Sequence, residues 1–217
     1  MSVVNAKRII IVGAGGNAKV ILDSLNEITR VQKDVLEIIG FLDDDSSKNE
    51  MNGLCRLGDV AEIAKFCGDG NTLFVDAIGN NEFRKKLMQD CPDARWYTVI
   101  HPTAIISPFV KIGEGSIVMP RVIINSGTIV GKKCLINTGT IIEHDNVLGD
   151  FVHLASGTTT AGDVTIGECT LVGTGTSILR GSKIGANCTI GVGATVINDI
   201  PDACTAVGVP AKIIKCT

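Results

Sequence analysis

Two rhythms of apolar residues share this chain, and the change from one to the other falls near His101 and Pro102. In the first rhythm, short aliphatic runs alternate with helical spacing. Arg8 to Val12 reads as a buried strand, Asn17 to Thr29 as a helix, Leu36 to Leu42 as a strand and Asp59 to Phe66 as a helix. Leu73 to Ile78 then reads as a strand, Asn81 to Asp90 as a helix and Trp96 to Ile100 as a last strand. This βαβαβαβ order predicts a small open parallel sheet with helices on its faces, about half of a doubly wound domain.

The second rhythm has a period of six. From Ile100 every sixth residue through Val196 is aliphatic, with Thr160 the exception. Four residues after each aliphatic position the side chain is compact or branched and usually small, as at Ser116, Thr128, Cys134, Thr140, Thr158 and Cys188. Six fits neither a helix nor an amphipathic strand, because the chain must turn a corner in every repeat. The physical solution is a triangular coil in which each hexad is one short strand plus a corner, and three hexads make a turn of about 18 residues. Cys134 and Cys188 are three full turns apart, so they fall in one column and do not pair. The expected fold class is an α/β half-Rossmann domain over residues 1–100, followed by an all-β left-handed parallel β-helix over residues 101–217. Flat faces of such coils usually meet in threes, which predicts a homotrimer.

Composition narrows the function classes. The chain is 45% apolar and 20% charged with a net charge of −3, the balance of a packed protein, and no run of Lys or Arg offers nucleic acid a footprint. Ile9 to Val12 is too short for a signal sequence or a membrane span, which points to a cytoplasmic protein with no membrane partner. The eight cysteines contain no C-x-x-C pair, so they read as small reduced hydrophobes and not as zinc ligands or a disulfide framework.

Only three histidines occur: His101, His144 and His153. His101, at the junction, reads as structural. In the repeat, imidazoles and carboxylates gather between Asn137 and His153. His144 stands two residues after the column residue Ile142 and therefore projects outward, flanked by Glu143 and Asp145. Two readings stay open on spacing alone, a solvated surface imidazole and a general base supported by a neighbouring carboxylate. His153 lies half a coil further on, which puts the two rings on different sides of one prism. They meet only when neighbouring subunits contribute one each; otherwise His153 is a packed interface side chain.

In the first half, Gly13-Ala-Gly15-Gly16-Asn17-Ala18 follows a strand and opens a helix, the G-x-G-x-x-A form of a dinucleotide fingerprint. Asp43, Asp44 and Asp45 end the second strand, where an acid grips ribose hydroxyls, and Ala77-Ile78-Gly79-Asn80 brings bare backbone to the same crevice. Half a Rossmann sheet leaves no dock for a nicotinamide, so a nucleotide or nucleotide-sugar site is favoured over a dinucleotide site.

These residues together resemble bacterial sugar O-acyltransferases of the sialic acid O-acetyltransferase type, including nucleotide-linked amino-sugar N-acetyltransferases of surface-glycan pathways. The resemblance rests on Gly13 to Lys19, Phe41 to Asp45, Ala77 to Asn81, Asn137 to Asp145, Gly149 to His153 and Val207 to Lys212. It implies an acetyl-CoA-dependent N-acetylation of a nucleotide-linked amino sugar with His144 as base; such a reaction needs no metal, and the sequence shows no ligand cluster, so no metal is expected. Asp145 resembles the acid that supports the base, with Glu143 and Asn137 nearby. His153 is similar to the histidine that hydrogen-bonds acetyl-CoA, and main chain near Gly162, Thr174 and Val192 lines the pantetheine groove. Gly15, Gly16, Asn17, Asp43, Asp44 and Gly79 hold the sugar nucleotide, although many relatives carry His where this chain has Asn17. The rival readings are O-acetylation of sialic acid or another sugar, and a non-catalytic β-helix scaffold.

Overall fold

The computed structural model describes residues 6–32 and 35–216. They form two compact units with the boundary between Pro102 and Thr103.

The first unit is built on β1 (Lys7–Val12), followed by α1 (Gly16–Gln32) and β2 (Leu36–Leu42). A hairpin of β3 (Glu50–Met51) and β4 (Leu54–Gly58) leads to a 3₁₀ helix (Val60–Asp69), then to β5 (Thr72–Asp76) and α2 (Asn81–Asp90). The strand order is β3-β4-β2-β1-β5. Strand β1 pairs in parallel on both sides, and Ile9 to Val12 are fully buried, as a strand covered on both faces requires. Helix α1 buries Ala18, Ile21, Leu22, Leu25 and Ile28, the stripe that a 3.6-residue period presents to a sheet.

Three expectations need revision. The sheet is mixed, because Asn52-Gly53 turns the chain with positive φ at both residues (48° and 85°), the geometry of a two-residue hairpin that Asn-Gly favours. The helix expected over Asp59 to Phe66 is a 3₁₀ helix. The strand expected over Trp96 to Ile100 shrinks to one parallel bridge, Trp96 beside Phe74, and to Val99–Ile100, because regular pairing with β5 ends at Tyr97.

The second unit is a parallel β-helix, left-handed as its period implies. Its first face stacks Ile105–Ile106, Ile123–Ile124, Ile141–Ile142 and their successors to Thr195–Val196. The second runs from Lys111–Ile112 to Lys183–Ile184, and the third from Ile117–Val118 through His153–Leu154 to Cys204–Val207. Partners lie 18 residues apart, as in Ile123↔Ile141↔Thr159. Column residues from Val118 to Val196 are at most 3% exposed, Thr160 included.

The cysteine reading holds only in part. Cys134, Cys169 and Cys188 are buried and in no disulfide, and the thiols of Cys134 and Cys188 point at carbonyls of Gly149 and Pro201. Cys55 is exposed, and Cys204 and Cys216 form a disulfide. The chain leaves the hexad pattern after Ile200, and Lys212–Cys216 returns antiparallel to Cys204–Val207 with the two cysteines directly opposite. Local spacing carries no sign of that reversal. Among the described residues no helix is long and apolar enough to cross a membrane.

Candidate functional site

The corners of the β-helix are tight because the third residue after the column position adopts a left-handed conformation, at glycines such as Gly127 and Gly181 and at Asp145 (φ 58°) and Asp163 (φ 61°) on one edge. Aspartate tolerates this region better than most residues. The edge between the first and second faces carries His144 next to Asp145, with Gly162 and Asp163 one coil on and Arg180 a further coil on.

His144 Nδ1 lies 2.9 Å from Asp145 Oδ2. A carboxylate only accepts, so this hydrogen bond puts a proton on Nδ1, and in the neutral ring the lone pair is then on Nε2. Both side chains are open to solvent, 46% for His144 and 60% for Asp145. The ring lies against Gly162: a Cβ there would come within 2.6 Å of Nε2. Asp163 donates its main-chain N–H to His144 O at 3.0 Å, and its carboxylate receives Arg180 Nη2 at 2.7 Å and Nε at 2.9 Å. One donor atom each from His144, Asp145 and Asp163 fall within 4.8 Å of one another, and Arg180 is the cation at that cluster.

Glu143 accepts from Asn125 Nδ2 at 3.0 Å, and Asp145 is the acid that touches the imidazole. Asn137 sits on the neighbouring edge, where its Oδ1 accepts the N–H of Thr138. Thr174 and Val192 follow on that same edge, both exposed. His153 is half-buried on the third face between its register partners Leu135 and Leu171. One chain therefore unites His144, Asp145 and Gly162 but holds Asn137, His153, Thr174 and Val192 a face or more away.

In the first unit, the turns after β1, β2 and β5 converge as expected of a parallel sheet. They border a cavity of about 590 Å³ reaching from Gly13, Asp43 and Asp44 to Val60, Ile78 and Phe83. A second cavity of about 300 Å³ is lined by Gly15, Gly16, Asn17, Lys48 and Gly79. The two acids also hold local backbone. Asp43 Oδ2 accepts from Ala14 N at 2.6 Å, and Asp44 Oδ1 accepts from Val60 N at 2.9 Å. Buried Arg84 donates to the carbonyls of Ile78 and Gly79, which fixes the third turn.

Sequence reasoning passed over Lys48, Phe83, Asn146, Asp163 and Arg180. The signal for Asp163 and Arg180 was available in the coil length: 145 plus 18 is 163, and 144 plus twice 18 is 180. The expectation of a compact or branched residue four positions after every aliphatic one fails at Asn146, where the other repeats carry Ala, Val, Ile, Ser, Thr or Cys.

Residues 8–91 match the family described as the PglD N-terminal domain. A stretch of 113 residues is 38% identical to UDP-N-acetylbacillosamine N-acetyltransferase of Bacillus subtilis (strain 168), covering 51% of this chain and 50% of that protein. The chain spans about half or less of the length of the curated relatives it matches. Among solved structures, the acetyltransferase domain of PglB from Neisseria gonorrhoeae FA1090 superposes with a TM-score of 0.90 at 30% identity, covering 96% of this chain and 100% of that one. PerB from Caulobacter crescentus, in complex with CoA and GDP-perosamine, gives 0.86 at 35% identity, covering 95% and 97%. On a fold and a sequence shared over nearly the whole of such structures, the chain belongs to the hexapeptide-repeat sugar acetyltransferase family.

Proposed function

We propose that this protein transfers the acetyl group of acetyl-CoA to the amine of a nucleotide-linked amino sugar, as a step in bacterial surface-glycan biosynthesis, with His144 as general base. The observation that carries the reading is the His144–Asp145 pair: Asp145 holds Nδ1, so the free lone pair of Nε2 lies on the Gly162 side of the ring. Relatives support the substrate class. The PglB domain is also known in complex with acetyl coenzyme A, and PerB with CoA and GDP-perosamine.

In this reading the amine nitrogen attacks the thioester carbonyl and forms a C–N bond, while Nε2 takes one proton from nitrogen. The tetrahedral intermediate then breaks its C–S bond, and the CoA sulfur leaves with the proton returned from the imidazolium. Such a base contributes roughly 10²–10⁴-fold, and orientation of the two substrates much of the rest. The nucleotide lies in the crevice of the first unit, bordered by Gly15, Gly16, Asn17, Asp43, Asp44 and Gly79. Because a single chain separates His144 from His153, Asn137, Thr174 and Val192, the complete site is assembled in a homotrimer, with those residues supplied by a neighbouring chain.

The test is CoA release against UDP-linked and GDP-linked 4-amino sugars, sialic acid and serine, for the native protein and for His144→Ala. The expected outcome is turnover with an amino-sugar nucleotide, reduced by about 10²–10⁴-fold in the variant. Turnover with sialic acid alone, or an undiminished rate in the variant, overturns the proposal.

A further inference from the structure

Inside the β-helix, side chains four residues after the column position form a ladder. Four of these hydroxyls and thiols bond a main-chain carbonyl fifteen residues on, at the corner of the next coil: Ser116 to Gly131 (2.8 Å), Thr128 to Glu143 (2.9 Å), Cys134 to Gly149 (3.1 Å) and Thr170 to Gly185 (2.7 Å). Asn146 occupies this position in the His144 corner and is fully buried. Its Nδ2 makes the expected bond to Ala161 O at 2.9 Å. It also reaches Glu143 O at 2.7 Å and His144 O at 3.1 Å.

We propose that Asn146 is a positioning residue for His144. One carboxamide nitrogen gathers the carbonyls on both peptide planes next to the histidine and the carbonyl just before Gly162. That fixes the Cα–Cβ vector of the base and ties it to the coil whose glycine receives the ring. The amide has two hydrogens, one of them shared between two of the three carbonyls, whereas a hydroxyl or thiol has a single hydrogen and cannot hold all three. The arrangement works against stability: Asn146 Oδ1 is buried with no hydrogen-bond partner among the described residues, a penalty that a threonine on the same rung avoids. A side chain that the fold alone would exchange for threonine is held at the corner where geometry matters to the chemistry.

The inference rests on the reading of His144 as the base, and the test separates the two. Asn146→Thr keeps the ladder bond and uses a residue already present on this rung in other coils, with Asn146→Ser and Asn146→Cys as alternates should the first not fold. The expected result is an unchanged assembly and a Tm equal to or above the native value. KM for both substrates should stay within about twofold, while kcat falls roughly 10- to 100-fold, the penalty of a misplaced base. The shape of the kcat–pH profile should be retained, because the base itself is not replaced. Native kcat in a folded variant, a raised KM at native kcat, or kcat and Tm falling together in all three variants overturns the positioning role. His144→Ala is assayed alongside: loss there with native kcat in Asn146→Thr sinks only this inference, whereas native activity in His144→Ala removes the base reading itself.

Discussion

Gly162 shows how one absent methyl group governs a site. Its φ is not in the left-handed region, so alanine meets no backbone penalty, and the nearest atoms its methyl would meet belong to the imidazole of His144. Gly162→Ala is therefore expected to fold normally and to lose roughly 10- to 100-fold in kcat through a displaced ring; thermal unfolding and steady-state kinetics on one preparation check both halves. His144 was legible in the sequence because an imidazole between two carboxylates is conspicuous against a background of Ile, Val, Gly and Thr. Which carboxylate serves it was not, since Glu143 and Asp145 flank it equally in sequence and only the left-handed turn at Asp145 brings that side chain to Nδ1.

The strands and helices of the first unit were legible where burial is continuous, as at Ile9 to Val12, or periodic, as along α1. What escaped was set by short polar chemistry. The hairpin is written in Asn52-Gly53, yet its two-residue strand is too short for any apolar pattern. The join between the 3₁₀ helix and β5 is a second example. Asp69 accepts from the hydroxyl and main-chain N–H of Thr72 and from Asn71 N, and Arg8 approaches it at 2.7 Å. The bonds from Thr72, first its hydroxyl, lower the Asp69 carboxyl from its ordinary 3.8 to about 2. A folded-state value below the unfolded one means that this stabilisation is complete above pH 3.8 and is lost as pH falls towards 2. Asp69→Asn should lower stability at neutral pH and narrow its gap to the native protein between pH 4 and pH 2, measured by denaturant unfolding across that range.

For the whole molecule, the period of six fixed the three faces, and the coil length fixed which residues share an edge. It left unstated how edges of different chains meet. A site shared between chains predicts that His144→Ala and His153→Ala, each inactive alone, recover activity when co-assembled. In equal mixture about a quarter of the boundaries pair an intact His144 with an intact His153, so recovery should approach about a quarter of the native rate. No recovery from mixed assemblies shown by mass to contain both chains rejects the shared site, and light scattering should give about three times the 22.8 kDa chain.

The return strand Lys212–Cys216 has a consequence beyond the chemistry. A stack of parallel strands ends in open N–H and C=O groups that invite another stack to continue it. Here the antiparallel strand, tied by Cys204–Cys216, covers the last strand of the third face, Gly208 and Ala211 bond to Thr195 on the first, and Ile200 closes the second. The coil is thereby protected against end-to-end growth into filaments, and a chain with this strap loosened by reduction should be the form that polymerises.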